Sequence, residues 1–312
     1  MKKIIAILMA VLMCLSMTAM AESYTVGVCQ LVQHDALDAA TQGFVDALKA
    51  KLGDDVTIDV QNASGDSATC ITIVNGFIAN GVDLIMANAT PALQAAVAGT
   101  GDIPILGTSV TDYGTALDMA EWTGTTGINV SGTSDLAPLD GQAAMVKELF
   151  PDAKNVGLLY CSAEANSAYQ VEVITGYLTE MGYTCTNYAF ADSNDVASVT
   201  EKAASESDVI YIPTDNTAAS CTEAIRNVVE PAGVPVIAGE EGICAGCGVA
   251  TLSISYYDLG TATGEMAAEI LANGADVSTM EVRFAPNFTK KYNAELCQAL
   301  NVAIPEDYVA IG

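Results

Sequence analysis

Basic residues are scarce in this chain. Its 312 residues carry 11 Lys and Arg against 38 Asp and Glu, with a single His and a single Trp. The formal net charge of −27 speaks against a nucleic-acid partner, because phosphate binding needs clustered Lys and Arg. It speaks equally against an anionic membrane surface. One histidine, His34, leaves no multi-histidine metal cluster. There is no G-x-x-x-x-G-K-[ST] phosphate loop, no G-x-G-x-x-G after the first predicted strand and no G-x-S-x-G elbow. A Ser-His-Asp triad has only His34 to draw on. Paired carboxylates carry no signal among 38 acids. The expectation is a protein that is not an enzyme and uses no metal or cofactor.

Long apolar runs are also missing beyond the N-terminus, where nothing reaches the roughly 20 apolar residues of a membrane helix. The N-terminus itself has Lys2 and Lys3, an apolar run from Ile4 to Leu15, and Ala19-Met20-Ala21 before Glu22. That is the pattern of a secretory signal peptide over residues 1–21. Met13 precedes Cys14 where a lipoprotein would have a small residue. Removing the leader leaves nine basic residues against 38 acidic ones, a charge of −29. An exported, soluble protein follows, with a neutral or zwitterionic ligand favoured over a polyanion. Eight cysteines remain. Their spacing is not that of a disulfide scaffold. Cys244-Ala-Gly-Cys247, in a glycine-rich stretch, reads as a local bridge or free thiols.

What is present is an alternation of short apolar runs and amphipathic stretches. Strands are expected at 24–31, 56–60, 83–86 and 103–106, with helices at 35–51, 67–80 and 91–98 between them. Leu37, Ala40, Phe44, Ala47 and Leu48 form one helical face, and Gly81 stands as a C-terminal cap. The pattern restarts with strands at 155–161, 183–190, 208–212 and 234–238 and helices at 167–181, 195–205 and 217–229. The fold class is therefore α/β, with two doubly wound parallel-sheet lobes. Residues 123–132 are expected to cross between lobes. Residues 251–255 would return the chain to lobe one for a helix at 258–273. Residues 282–284 would cross again, placing a helix at 290–300 on lobe two. The N-terminal lobe is thus 22–128 plus 256–281, and the C-terminal lobe 129–255 plus 282–312.

Ligands of such sheets bind beyond the carboxyl ends of the strands. The strand exits are short and polar. They supply His34, Asn88, Thr90, Ser109, Val110, Glu164, Asn166, Ser167, Thr214, Asp215, Asn216 and Glu240, with Asp135 near the first crossing. None of the nine basic residues lies at an exit, so a ligand carboxylate would rest on hydroxyls and helix N-terminal N–H groups. An ammonium would want Asp215, Glu164 or Asp135. Asp215→Ala is expected to weaken binding with little loss of fold. Tyr113 and Trp122 are candidate ring partners.

The stretches His34-Asp-Ala-Leu-Asp-Ala39, Asn62-Ala-Ser-Gly-Asp66, Ala89-Thr-Pro-Ala92, Val110-Thr-Asp112 and Asn129-Val-Ser-Gly-Thr-Ser-Asp135 carry a resemblance, as do Glu164-Ala-Asn-Ser167, Pro213-Thr-Asp-Asn216 and Tyr256-Tyr-Asp-Leu-Gly260. In this order the chain resembles the ABC transporter substrate-binding proteins of the tryptophan/tyrosine type, within the type I periplasmic-binding fold. It departs from them at Asp35, often Pro in the family, and at Ala63-Ser64, often Gln-Gly. The expected location is periplasmic or extracellular, associated with the cell surface, and the expected state is a monomer. The resemblance implies that such a protein would capture a small solute, an aromatic amino acid, by hinge closure and hand it to an ABC permease. The residues alone leave open a sugar, an autoinducer or a sensor role.

Overall fold

Two sheets divide the computed structural model, which describes residues 23–311; the leader read at 1–21 lies outside them. The first part runs β1 (Tyr24–Gln30), α1 (Asp35–Leu52), β2 (Val56–Asn62), α2 (Ser67–Asn80), β3 (Leu84–Asn88), α3 (Thr90–Gly99), β4 (Ile105–Val110), α4 (Tyr113–Ala116) and β5 (Val130–Ser134). The second runs α5 (Leu139–Leu149), β6 (Asn155–Cys161), α6 (Ala165–Glu180), β7 (Thr184–Phe190), α7 (Val196–Glu206), β8 (Val209–Ile212), α8 (Asn216–Ser220), α9 (Thr222–Ala232), β9 (Val236–Ala238), α10 (Glu241–Cys247) and β10 (Ala250–Ser253). A tail adds α11 (Tyr256–Asn273), β11 (Arg283–Phe284), β12 (Thr289–Tyr292), α12 (Ala294–Ala299) and β13 (Val309–Ala310).

The first sheet has the order β11-β5-β4-β3-β1-β2 and the second β13-β12-β10-β9-β8-β6-β7. The first is wholly parallel. In the second, β12 pairs antiparallel with β10. Both faces of each sheet are covered, which is why the strands are apolar at successive positions and not at alternate ones. In β3, Leu84 and Met86 pack with Phe44 of α1 and Met266 of α11, while Ile85 and Ala87 pack with Phe77 of α2 and Leu93 of α3. The second lobe repeats this: Leu158 and Tyr211 share a cluster with Ile174 of α6, and Ile210 and Ile212 one with Val229 of α9. The chain passes between sheets at 135–138, 254–255 and 285–288.

α11 seats on α1 through glycine. A methyl at Gly43 would strike the Tyr257 carbonyl, one at Gly260 the Ala40 carbonyl, and one at Gly264 the Phe44 carbonyl. The two backbones are therefore in direct contact. Gly81 ends α2 in the left-handed conformation, at φ 66°, as its position in the sequence anticipates.

Several expectations need correction. Residues 130–134 do not cross between lobes: they form β5 of the first sheet, and the crossing follows them. The glycines there serve packing, because Gly107 and its register partner Gly132 make room for the Tyr113 ring. The first lobe accordingly extends to residue 134, and β11 also joins its sheet by pairing with β5. No helix starts at Lys290. Residues 289–292 extend the second sheet, and Asn293 then caps α12 by accepting from the Leu296 N–H. The helix expected at 217–229 breaks at Cys221 into α8 and α9. The Cys244–Cys247 motif is helical because Glu240 caps α10, and both its thiols are free. α5 has no counterpart in the sequence reading.

Candidate functional site

The carboxyl ends of β1–β5 face those of β6–β9 across the cleft between lobes. A cavity of about 170 Å³ lies there, lined from lobe one by Leu31, Val32, Ser64, Gly65, Ser67 and Pro91, and from lobe two by Cys161, Ala163, Glu164, Ala191, Asp192, Ser193, Asn216, Thr217 and Ser220. All but Ser220, which ends α8, follow or end a strand or begin the helix after it. The lining contains no basic residue and no aromatic ring. Of the residues expected at the site, Glu164 and Asn216 line this cavity directly. His34 lines the adjoining part of the groove, and Glu240 a third part between α1 and α10.

Outside that lining, several strand-exit side chains are buried with one polar atom unpartnered. These atoms are Asn88 Oδ1, Thr90 Oγ1, Ser109 Oγ, Asp135 Oδ1 and Asn166 Oδ1. An unmatched buried polar atom costs about 1–3 kcal/mol, so five such atoms at the exits of both sheets call for an explanation. Backbone strain coincides with them. Ala89 has φ 92° and Ser109 φ 54°, at the end of β3 and at a register shift in β4. Non-glycine residues at positive φ persist where surrounding structure enforces them, and they cluster at functional sites. α3 begins directly after Ala89 with no side-chain cap.

The acids separate by partner. Asp215 accepts from the N–H groups of Cys161 at 2.6 Å and Ala218 at 2.8 Å, one on each oxygen. It ties β6 to α8 and has no oxygen to spare for an ammonium. Glu164 accepts from both the N–H and the side chain of Asn216 and of Thr217, and from Asn166 Nδ2. Glu240 accepts from the Gly242 and Ile243 N–H groups. Asp135 keeps an unpartnered oxygen: its Oδ2 accepts from the Tyr256 hydroxyl at 3.0 Å, the Thr111 hydroxyl lies beside the carboxyl, and Oδ1 has no hydrogen-bond partner. Burial pushes the Asp135 carboxyl up to about 6 and that of Glu240 to about 7. Asp215 rises to about 7 through burial and the neighbouring Glu164 charge.

Asn166 Nδ2 lies within reach of Glu164 Oε2, Ser167 Oγ and the Thr214 carbonyl, so Ser167 and Thr214 hold Asn166 in place. Gln170 adds two bonds to Thr214. His34 Nε2 stands 3.4 Å from Asn216 Oδ1 across the cleft, and burial holds the imidazole below its ordinary pKa. Val110 is a core residue whose carbonyl takes the Asp135 N–H. Tyr113 and Trp122 stack on each other within the lobe-one core, with centroids 6.2 Å apart, away from the cavity lining. The exits of β2 and β7, and Tyr256, were not singled out as contacts, although the rule that ligands sit beyond strand ends covers both exits.

Two parallel-sheet lobes, three crossings and a polar cleft at the strand ends define a two-lobed solute-binding protein. The chain belongs to the ABC transporter substrate-binding protein family, whose model matches residues 25–311. This is a family of extracytoplasmic proteins, not enzymes, that bind small molecules and deliver them to an ABC permease. A tyrosine-binding protein of Clostridioides difficile is 36% identical over 280 residues, which span 89% of this chain and 81% of that one. A Streptococcus pneumoniae domain solved in complex with L-Trp is 33% identical, covers 91% of this chain and 96% of its own, and superposes with a TM-score of 0.87. A C. difficile substrate-binding protein with adhesive properties, solved ligand-free and open, is 36% identical with 92% and 99% covered, yet gives a TM-score of 0.69. Identity is no lower for the open protein, so sequence divergence does not explain its poorer superposition. Over the whole chain, this structure superposes better on the L-Trp complex than on the open protein.

Proposed function

We propose that this chain captures a free aromatic amino acid outside the cytoplasm, as a monomer, and presents it to its permease by closing its lobes. The observation that carries the reading is the set of buried, unpartnered oxygens at Thr90, Ser109, Asp135 and Asn166. They come from lobe one, the first crossing and lobe two. A ligand that satisfies them stabilises the closed arrangement through contacts to both lobes.

Their chemistry suits a zwitterion. Asp135 Oδ1 and Asn166 Oδ1 are acceptors suited to an ammonium. The hydroxyls of Thr90 and Ser109, with the uncapped start of α3, suit a carboxylate without any arginine. Leu31, Val32 and Pro91 supply apolar wall for a ring. The tyrosine-binding and L-Trp-complexed relatives support the aromatic choice. The apparent leader at residues 1–21 supports export.

A thermal-shift screen of amino acids, sugars and short peptides tests the reading, because a ligand raises the melting temperature through mass action on the native state. L-Tyrosine, L-tryptophan or L-phenylalanine is expected to give the largest shift. A shift from a sugar, with none from these three, would replace the reading by one of sugar capture.

A further inference from the structure

Asn88 ends β3 with its side chain fully buried, and its amide is the last link of a chain of hydrogen bonds that begins on α1. Nδ2 donates to the Leu37 carbonyl at 2.8 Å and to Thr41 Oγ1 at 2.9 Å. Thr41 Oγ1 gives its own proton to Gln30 Oε1 at 2.6 Å. Gln30 Nε2 donates to the Val32 carbonyl at 2.9 Å and to Asp38 Oδ1 at 2.6 Å. Carbonyl oxygens and an ionised carboxylate only accept. The direction of every bond in the chain is therefore forced. Flipping the Gln30 amide would set its oxygen against Val32 O and Asp38. Flipping Asn88 would set oxygen against oxygen at Leu37. One polar atom of the two amides and the hydroxyl is left over, Asn88 Oδ1, and it is an acceptor.

We propose that Thr41 is a positioning residue for ligand selection. The Leu37 carbonyl fixes which way the Asn88 amide faces, and Thr41, oriented by Gln30, is the second anchor that holds it there, so that only an oxygen is offered and the site demands an N–H from the ligand at that point. Lobe two has a parallel device in Asn166, whose Nδ2 is held by Glu164 and by the Thr214 carbonyl, leaving Oδ1 unpartnered. An acid anchors each amide network, Asp38 in one lobe and Glu164 in the other. The ligand class selected is a primary amine in its protonated form, against an otherwise identical acid without the amine. This rests on the amino-acid reading given above.

The test compares L-tyrosine with its des-amino analogue 3-(4-hydroxyphenyl)propanoate by calorimetry on the wild type, Thr41→Val and Thr41→Ser. Valine nearly matches threonine in shape but removes the hydroxyl; serine keeps it. Thr41→Val is expected to lose about tenfold in affinity for L-tyrosine, the size of one hydrogen bond to a charged group. The analogue should change by less than about twofold, and Thr41→Ser should bind both like the wild type. Equal losses for the two ligands in Thr41→Val, or no loss for L-tyrosine, would overturn the proposal.

Should the wild type bind no amino acid, the amino-acid reading fails and the lock is judged separately. In asparagine-labelled protein, the Asn88 side-chain amide protons should exchange slowly with solvent in the wild type and Thr41→Ser, and faster in Thr41→Val. The same exchange rate in all three would overturn the lock.

Discussion

Asp135 and Asp215 are both buried acids near strand exits, and they answer differently to mutation. Asp135 has an oxygen without a protein partner, so Asp135→Asn should leave the fold intact. It should weaken L-amino-acid binding by about ten- to a hundredfold, as loss of a charged hydrogen bond implies. Its pH profile gives a sharper sign. A ligand ammonium needs the carboxylate form, and burial pushes the Asp135 carboxyl up to about 6. Affinity measured by calorimetry should fall as the pH drops through about 6 and level off above 7, and Asp135→Asn should abolish this step. Asp215 has both oxygens on backbone N–H groups. Asp215→Ala should therefore cost about 2–3 kcal/mol of stability, from a lost cap and an orphaned buried N–H. That reverses the sequence-based expectation. Polar strand exits were legible in the sequence. Which of them cap helices and which face a ligand was not, because Ser, Thr, Asn and Asp do both jobs with the same atoms.

Among the elements, the α1–α11 pair is the most exacting contact. Gly43, Gly260 and Gly264 leave no room for a methyl against the partner backbone. Gly260→Ala should cost about 1–3 kcal/mol or more, the range of overpacking. It would be read as a lower urea midpoint with an unchanged slope. Both helices were legible from their apolar faces, since Phe44 and Leu48 in one and Met266 and Ile270 in the other repeat at helical spacing. The role of the glycines was not, because their contacts lie some 220 residues away in sequence. Misreadings elsewhere have the same origin. Residues 289–292 became β12 because β10 offers an edge to pair with, and nothing in the segment itself announces that neighbour. Residues 130–134 look like a small, polar linker until Tyr113 is seen lying over Gly107 and Gly132.

For the whole molecule, buried acids set a pH dependence of stability opposite in sign to that of binding. Asp215 and Glu240 keep their protons up to about pH 7 in the folded chain, whereas their ordinary values are 3.8 and 4.5. Between those limits these two groups bind more protons in the folded state than in the unfolded one, so their contribution to stability falls as pH rises. The formal charge of −27 adds repulsion in the same direction. The ligand-free protein should melt higher at pH 5 than at pH 8, while its affinity for an amino acid should be higher at pH 8. A melting temperature that rises across this range would contradict the assignment of these two acids. The two-lobed architecture itself was legible from alternation and period, down to the strand at 155–161, whose bounds the structure reproduces.

Seating α11 on α1 also fixes an order of events during folding. Residues 139–253 hold most of the second lobe in one continuous stretch, whereas the first lobe needs residues 35–52 and 256–273 together. Contacts so far apart in sequence pay a large loop-closure cost before they reward it. The second lobe is therefore the one able to form early, and the first must wait for the chain that passes through its partner. Refolding followed by probes in each lobe should show the second lobe acquiring protection first. A chain ending at residue 253 should leave the first lobe unfolded, although all but β11 of its sheet would be present.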